Sequence, residues 1–222
     1  MGLQGGLTAD EIVAQVDRAG EIVRSQRMPT LRNIVFMGMG EPLDNAAAVQ
    51  RALSTLVDPR GRAFAPRHIT VSTVGPSVRA VALTNGWPGR LAWSLHAADD
   101  DLRRRLIPTA RESVGELARA FAARVDARNQ PLFVEMTLID GLNDSPEHAV
   151  QAARLFRHGP RRVRFNLLPV NPTDGVHRAS PPDRVEAFRD RLRALGFFAM
   201  IRRPRGRDRR AACGQLVTLV DS

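Results

Sequence analysis

The chain has one cysteine, no tyrosine and no lysine, and each of these absences excludes something. A single thiol, Cys213, rules out a disulfide framework within the chain and any four-cysteine zinc or iron–sulfur site built from this chain alone. It fits a protein of the reducing cytoplasm. No apolar run approaches the ~18 residues that a membrane span needs, and Gly2-Leu3-Gln4-Gly5-Gly6 is followed by polar helix-start signals instead of a basic and then apolar leader. Neither a membrane span nor an export signal is expected. Aromatic residues make up only 5% of the 222 residues, but the 43% hydrophobic content is enough for one buried core and excludes a disordered or fibrous protein. Acidic residues are also few, 23 against 33 basic ones, for a net charge of +10. With lysine missing, all of the positive charge is guanidinium. Arginine forks match phosphate oxygens two at a time and never deprotonate, which points to a polyanionic partner.

Five apolar runs have the length and β-branched content of buried strands, at 33–37, 68–72, 91–95, 132–139 and 163–168, with a last strand at 197–201. Their near-continuous apolarity predicts a parallel sheet covered on both faces. Helical segments lie between them. Thr8-Ala9-Asp10-Glu11 and Ser113-Val114-Gly115-Glu116 read as capping boxes, and Ser145-Pro146 and Ser180-Pro181 as cap residues before a first-turn proline. The pattern is an opening helix over 8–25 followed by about five strand–helix units, short of the roughly 250 residues of a full eight-unit barrel. It predicts an α/β fold, a partial (βα) barrel entered through a helix and therefore lacking its first strand and the loop after it. No linker or low-complexity tract divides the chain, so 1–222 reads as one domain.

In such barrels ligands meet the loops at the carboxyl ends of the strands. After the first run comes Met37-Gly38-Met39-Gly40-Glu41-Pro42-Leu43, whose glycines let main chain approach a ligand while Glu41 offers a carboxylate to an ammonium. It is not a dinucleotide fingerprint, because Leu43 stands where the third glycine belongs. On spacing alone it reads equally as a glycine turn with a solvated glutamate. The second run ends in Ser72-Thr73-Val74-Gly75, the third in Ser94-Leu95-His96, and the fifth leads to Pro169-Val170-Asn171-Pro172. Taken singly, these fit satisfied strand-end hydroxyls and a packed histidine, whereas four polar strand ends converging on one mouth fit a binding site. Residues 202–210 carry six arginines, a solvated charge run or a phosphate-binding stretch, and lead directly to Cys213, which by itself reads as an inert, half-buried thiol and beside these arginines as a reactive thiolate. Arg103-Arg104-Arg105 follows Asp99-Asp100-Asp101 and reads as an exposed helix face balanced by its own acidic start.

Gly38-Met39-Gly40-Glu41-Pro42-Leu43, Ile69-Thr70-Val71-Ser72-Thr73-Val74-Gly75, Leu91-Ala92-Trp93-Ser94-Leu95-His96-Ala97, Asn143-Asp144-Ser145, Asn166-Leu167-Leu168-Pro169-Val170-Asn171-Pro172 and Ala211-Ala212-Cys213-Gly214-Gln215-Leu216 come in this order over almost the whole chain. Together they resemble the RlmN/Cfr family of radical S-adenosylmethionine (SAM) rRNA adenine methyltransferases, and within it the RlmN branch. The resemblance implies a radical-SAM-type barrel. It implies that Gly40, Glu41, Ser72, Ser94, Leu95, His96 and Asn171 hold SAM, and that Cys213 accepts a methyl group from one SAM. A second SAM, cleaved reductively on a [4Fe–4S] cluster fed by an electron donor, then yields the radical that activates this methyl for addition to C2 of an adenine. The implied substrates are 23S rRNA and, as a second class, tRNA. C2 of adenine is electrophilic and closed to ordinary polar methyl transfer, hence the radical route.

The departures from the family pattern matter as much. The family's Cys-x-x-x-Cys-x-x-Cys cluster loop would precede the segment matched by Met1-Gly2-Leu3-Gln4, and this chain has no cysteine before Cys213. The resolving cysteine, the acidic general base and the accessory domain of the family likewise fall outside the match, and Gly5-Gly6 replaces an expected Arg-Asn pair. The expectation is therefore the C-terminal majority of such an enzyme, truncated at its N-terminus, with no metal ligands of its own and inactive alone. The alternatives are a non-catalytic SAM- and RNA-binding remnant, or an unrelated α/β-barrel enzyme acting on an anionic metabolite.

Overall fold

The computed structural model describes residues 5–157, 162–170 and 177–202. The chain runs α1 (Ala9–Ser25), β1 (Ile34–Phe36), α2 (Ala46–Val57), β2 (Ile69–Thr73), α3 (Val78–Leu83), β3 (Arg90–Ser94), α4 (Asp100–Leu106), α5 (Val114–Arg128), β4 (Leu132–Leu138), α6 (Pro146–Arg154), β5 (Val163–Pro169), α7 (Pro182–Ala194) and β6 (Phe198–Ile201). All six strands are parallel and stand in one sheet in sequential order. Sequential order makes every crossover step the same way, and right-handed crossovers then place every helix on one face. Among the described residues β1 and β6 do not pair with each other, so the barrel is partial. This is the expected α/β architecture, with each strand within a residue or two of its apolar run.

The expectation of a sheet covered on both faces is corrected. Ile69, Val71, Leu91, Trp93, Leu132, Val134, Met136, Phe165 and Leu167 are buried in the core shared with the helices. The alternate residues look the other way, into the open concave face, where Val35 is 56% and Phe198 54% exposed. The runs read as continuous because the concave face is partly apolar too. Two of its phenylalanines lie under guanidinium groups, Phe133 under Arg90 at 5.9 Å and Phe198 under Arg164 at 5.6 Å.

The few aromatics are concentrated between sheet and helices. Trp93 stacks on Phe121 at 4.8 Å and meets Phe156 edge-on at 6.0 Å, and the contacts continue through Phe165 to Phe197. Each such pair adds about 0.5–1.5 kcal/mol beyond burial, so this row ties β3, α5, β5 and the start of β6 into one core. Gly75 belongs to this packing. Its φ is +68°, and a Cβ there would come within 3.0 Å of the Phe121 ring. Arg124 is a buried cation on α5 that donates to the carbonyl oxygens of Thr84 (3.1 Å), Trp87 (3.4 Å) and Gly89 (3.3 Å), fastening the helix to the approach to β3. Burial pushes its guanidinium down to about 10.

The helix starts follow local chemistry, with two exceptions. Thr8 and Glu11 close the expected capping box, and at α6 Ser145 and His148 close one. Ser113 instead caps α5 through the Gly115 N–H, without a return bond from Glu116. The helix expected after Ser180-Pro181 begins one residue later, because a residue before proline is held out of the helical region and Pro182 follows Pro181. Among the described residues no helix is long and apolar enough to cross a membrane.

Candidate functional site

The carboxyl ends of β1 to β4 are joined into one hydrogen-bonded frame. Past β1 the chain turns at Gly40, whose φ of +82° suits a residue without Cβ, and presents Glu41. The Glu41 carboxylate is not free in solvent. Oε1 accepts from the Leu43 N–H (2.9 Å) and the Thr73 hydroxyl (2.6 Å), and Oε2 from the Val74 N–H (2.9 Å). The glutamate thereby locks the loop after β1 to the end of β2, and Oε2 keeps an acceptor direction unused by these bonds.

Ser72 and Ser94 sit on adjacent strands, facing the concave side, with their hydroxyl oxygens 3.3 Å apart. Leu95 has a fully buried side chain. Its N–H donates to the Glu135 carbonyl (3.1 Å) and its own carbonyl accepts from Arg103. His96 adopts a left-handed backbone, φ +58°, that turns its ring toward β4, where Nδ1 accepts the Thr137 N–H at 3.0 Å. Burial, with a smaller push from Arg103, lowers its pKa to about 4. A neutral imidazole that accepts at Nδ1 carries its proton on Nε2, so His96 is a fixed N–H donor near neutral pH.

Asn143 holds this arrangement from the loop after β4. Its Nδ2 donates to the carbonyls of His96 and Thr137, both at 2.7 Å, and its Oδ1 accepts the Ile139 N–H at 2.8 Å. Side by side with Ser94 in register stand Glu135 and Asn166. Asn166 Nδ2 donates to Glu135 Oε1 at 2.8 Å, and both side chains are buried. Burial pushes the Glu135 carboxyl up, opposed by the Asn166 bond and by the charge of Arg202.

The structure thus brings Glu41, Ser72, Ser94 and His96 to one rim, with Gly40 at its open end. Asn171 and Cys213 lie outside the described residues, as does the arginine stretch beyond Arg202. The expected exposed arginine face on α4 is corrected at Arg103, which is 1% exposed, because its side chain folds back beneath the ends of β2 and β3. Sequence placed Arg103 on an exposed face and Asn166 at the start of a motif without a role, and did not single out Glu135, although Glu135 interrupts an apolar run in step with Phe133 and Thr137. Among the described residues no three His, Cys, Asp or Glu side chains gather as a metal site. The rim offers a carboxylate, paired hydroxyls and an imidazole N–H, a set that suits a ligand carrying an ammonium group and several oxygen functions.

No protein-family model matches the chain. The chain is 43% identical over 227 residues to a probable dual-specificity RNA methyltransferase RlmN of Frankia alni, covering 96% of this chain and 54% of that protein. It is 41% identical over 220 residues to the dual-specificity RNA methyltransferase RlmN of Syntrophobacter fumaroxidans, covering 98% of this chain and 63% of that protein. A crystal structure of a radical SAM methyltransferase from Sphaerobacter thermophilus superposes with a TM-score of 0.90 at 41% identity, covering 97% of this chain and 63% of that one. The chain therefore spans between 54% and 63% of the length of these relatives. With the motifs in order, the partial parallel barrel and this identity over nearly all of its residues, the chain is strongly homologous to the RlmN radical SAM methyltransferases.

Proposed function

We propose that the chain, acting as one domain, supplies the SAM-binding strand ends and part of the RNA-facing surface of an adenine C2 methyltransferase. Its substrates in this reading are 23S rRNA and tRNA in the cytoplasm. The observation that carries the reading is the hydrogen-bonded frame joining Glu41, Thr73, Val74, His96, Thr137 and Asn143. Glu41 Oε2 is oriented to accept from an ammonium group, the Ser72 and Ser94 hydroxyls and the His96 Nε2–H to meet oxygen functions, and Gly40 to let main chain close on the ligand. Asn171 completes the proposed ligand set. SAM, when bound, supplies the transferable methyl group, and Cys213 is the proposed thiol that first accepts it. The net charge of +10, all of it from arginine, supports contacts to an RNA backbone.

The residues present do not fit the family's [4Fe–4S] cluster, since one cysteine cannot supply three ligands. The cluster and its electron donor belong to the intact family protein. The 222 residues alone are therefore proposed to bind SAM and RNA without turnover. Calorimetric titration of the chain with SAM and S-adenosylhomocysteine is expected to show binding, and anaerobic reduction with an rRNA fragment to yield no C2-methyladenosine. Turnover by the purified chain would overturn the second part, and failure to bind either ligand the first. RNA affinity that falls steeply with added salt would support the surface role.

A further inference from the structure

Arg103 is buried, yet its charge faces main-chain carbonyls. Nε donates to the Leu95 oxygen at 3.2 Å and Nη2 to the Val74 oxygen, while the guanidinium lies 5.8 Å from the centre of the Trp93 ring. Trp93 Nε1 donates to the same Val74 oxygen at 3.1 Å. Asp100, the acidic group whose field reaches Arg103, is committed to the Val114 N–H at 2.7 Å. Nη1 is buried without a hydrogen-bond partner. An apolar side chain would fill this space without the desolvation that a buried cation incurs. The arginine is thus costly as packing, and its use lies in what the fork connects.

Two halves of the rim meet there. Val74, whose carbonyl takes Nη2, gives its N–H to Glu41. Leu95, whose carbonyl takes Nε, directly precedes His96. We propose that Arg103 is a positioning residue for the ligand rim, its planar fork setting the spacing between the Glu41–Val74 half and the Leu95–His96 half. The inference rests on the SAM-binding reading above and goes beyond it by assigning a residue that touches no ligand. Lysine, a point charge, cannot bridge two carbonyls in fixed geometry as a planar fork does.

The test uses the 222-residue chain and its Arg103→Gln and Arg103→Lys variants. S-adenosylhomocysteine affinity is read by calorimetry, the His96 ring titration by NMR and folding by thermal melting. Arg103→Gln is expected to weaken binding about tenfold or more and to move the His96 midpoint upward from about 4, because the neighbouring cation is gone. Arg103→Lys is expected to hold the His96 midpoint close to that of the wild type yet still lose several-fold in affinity. A purely structural role would lower the melting temperature and leave the affinity of the folded chain unmoved, while the His96 midpoint registers the lost charge in either case. A folded Arg103→Gln chain that binds within about twofold of wild type overturns the proposal, and if that variant does not fold the same criterion applies to Arg103→Lys. A wild-type chain that binds no S-adenosylhomocysteine overturns the functional reading instead. The positioning role rests on that reading and falls with it.

Discussion

The side-chain amide of Asn143 donates to the carbonyl oxygen of His96 across 2.7 Å, joining residues 47 positions apart in the chain. His96 has a left-handed φ of +58°, a conformation that costs a non-glycine residue about 1–3 kcal/mol unless its surroundings hold it. Asn143 is part of what holds it, and Thr137 the rest, since the Thr137 N–H engages the ring while Asn143 takes the carbonyls of both residues. The strained histidine and the loop after β4 form one unit.

Replacing Asn143 therefore removes more than one bond. Asn143→Ala leaves the His96 and Thr137 carbonyls and the Ile139 N–H without their partner in a fully buried place, an expected loss of about 3 kcal/mol or more. Asn143→Asp is expected to be at least as damaging, because an ionised carboxylate offers no N–H to two carbonyl oxygens. Urea denaturation of the two variants beside wild type checks both. A midpoint unchanged in Asn143→Ala would show that the frame does not depend on this residue.

How much of this was legible in the sequence depends on the range of the interactions. The strands and the Thr8 cap come from contacts between near neighbours, and alternation or spacing reveals them. Glu41, Ser72, Ser94 and His96 were legible as polar residues at strand ends. That Glu41 is tied to Thr73 and Val74 was not, because the bond spans more than thirty residues and depends on which strands become neighbours. Arg103 misled for the same reason. Beside Arg104 and Arg105 it looks like one turn of a solvated face, and only the packed ends of β2 and β3 give its fork two carbonyls to reach. The late start of α7 was local and legible, since Pro181-Pro182 excludes a helical Pro181.

Glu41 makes a separable prediction. Its two oxygens accept from three donors, so Glu41→Gln places an amide NH2 against one of them and is expected to cost about 1–3 kcal/mol of stability. S-adenosylhomocysteine affinity is expected to fall as well, through loss of the charge proposed to meet an ammonium. Urea melts and calorimetry on the same samples separate the two effects. Stability equal to wild type would contradict the three-donor arrangement, whatever the affinity does.

His96 adds a pH dependence of definite sign. Its pKa is about 4 in the fold against 6.5 for a free histidine, so the unfolded chain takes up the proton first. Stability from this group is complete above pH 6.5 and is lost as the pH falls toward 4, on the order of 3 kcal/mol in all. His96→Gln retains an acceptor for the Thr137 N–H without titrating. Its stability relative to wild type is expected to improve between pH 7 and pH 4.5, and a constant difference across that range would contradict the neutral, half-buried ring.

Glu135 acts in the opposite direction. Its carboxyl is raised above the free value of 4.5, with burial as the largest cause, so the fold favours the protonated form. The stability linked to this proton is present below pH 4.5 and is lost as the pH climbs through the raised folded value. Burial opposes the ionised form of Glu135 between Ser94 and Asn166, and the Asn166 bond and the charge of Arg202 offset only part of that. Glu135→Gln removes the charge, keeps an oxygen for the Asn166 amide and preserves the side-chain volume. The variant is therefore expected to be more stable than wild type at pH 7 to 8, with the gain shrinking as the pH is lowered toward 4.5. Thermal melts of both proteins across that range test this. A gain that stays constant or grows toward acid would mean that the carboxylate is well paired in the fold. It would also remove the reason to treat the concave row of Ser94, Glu135 and Asn166 as an environment that resists charge.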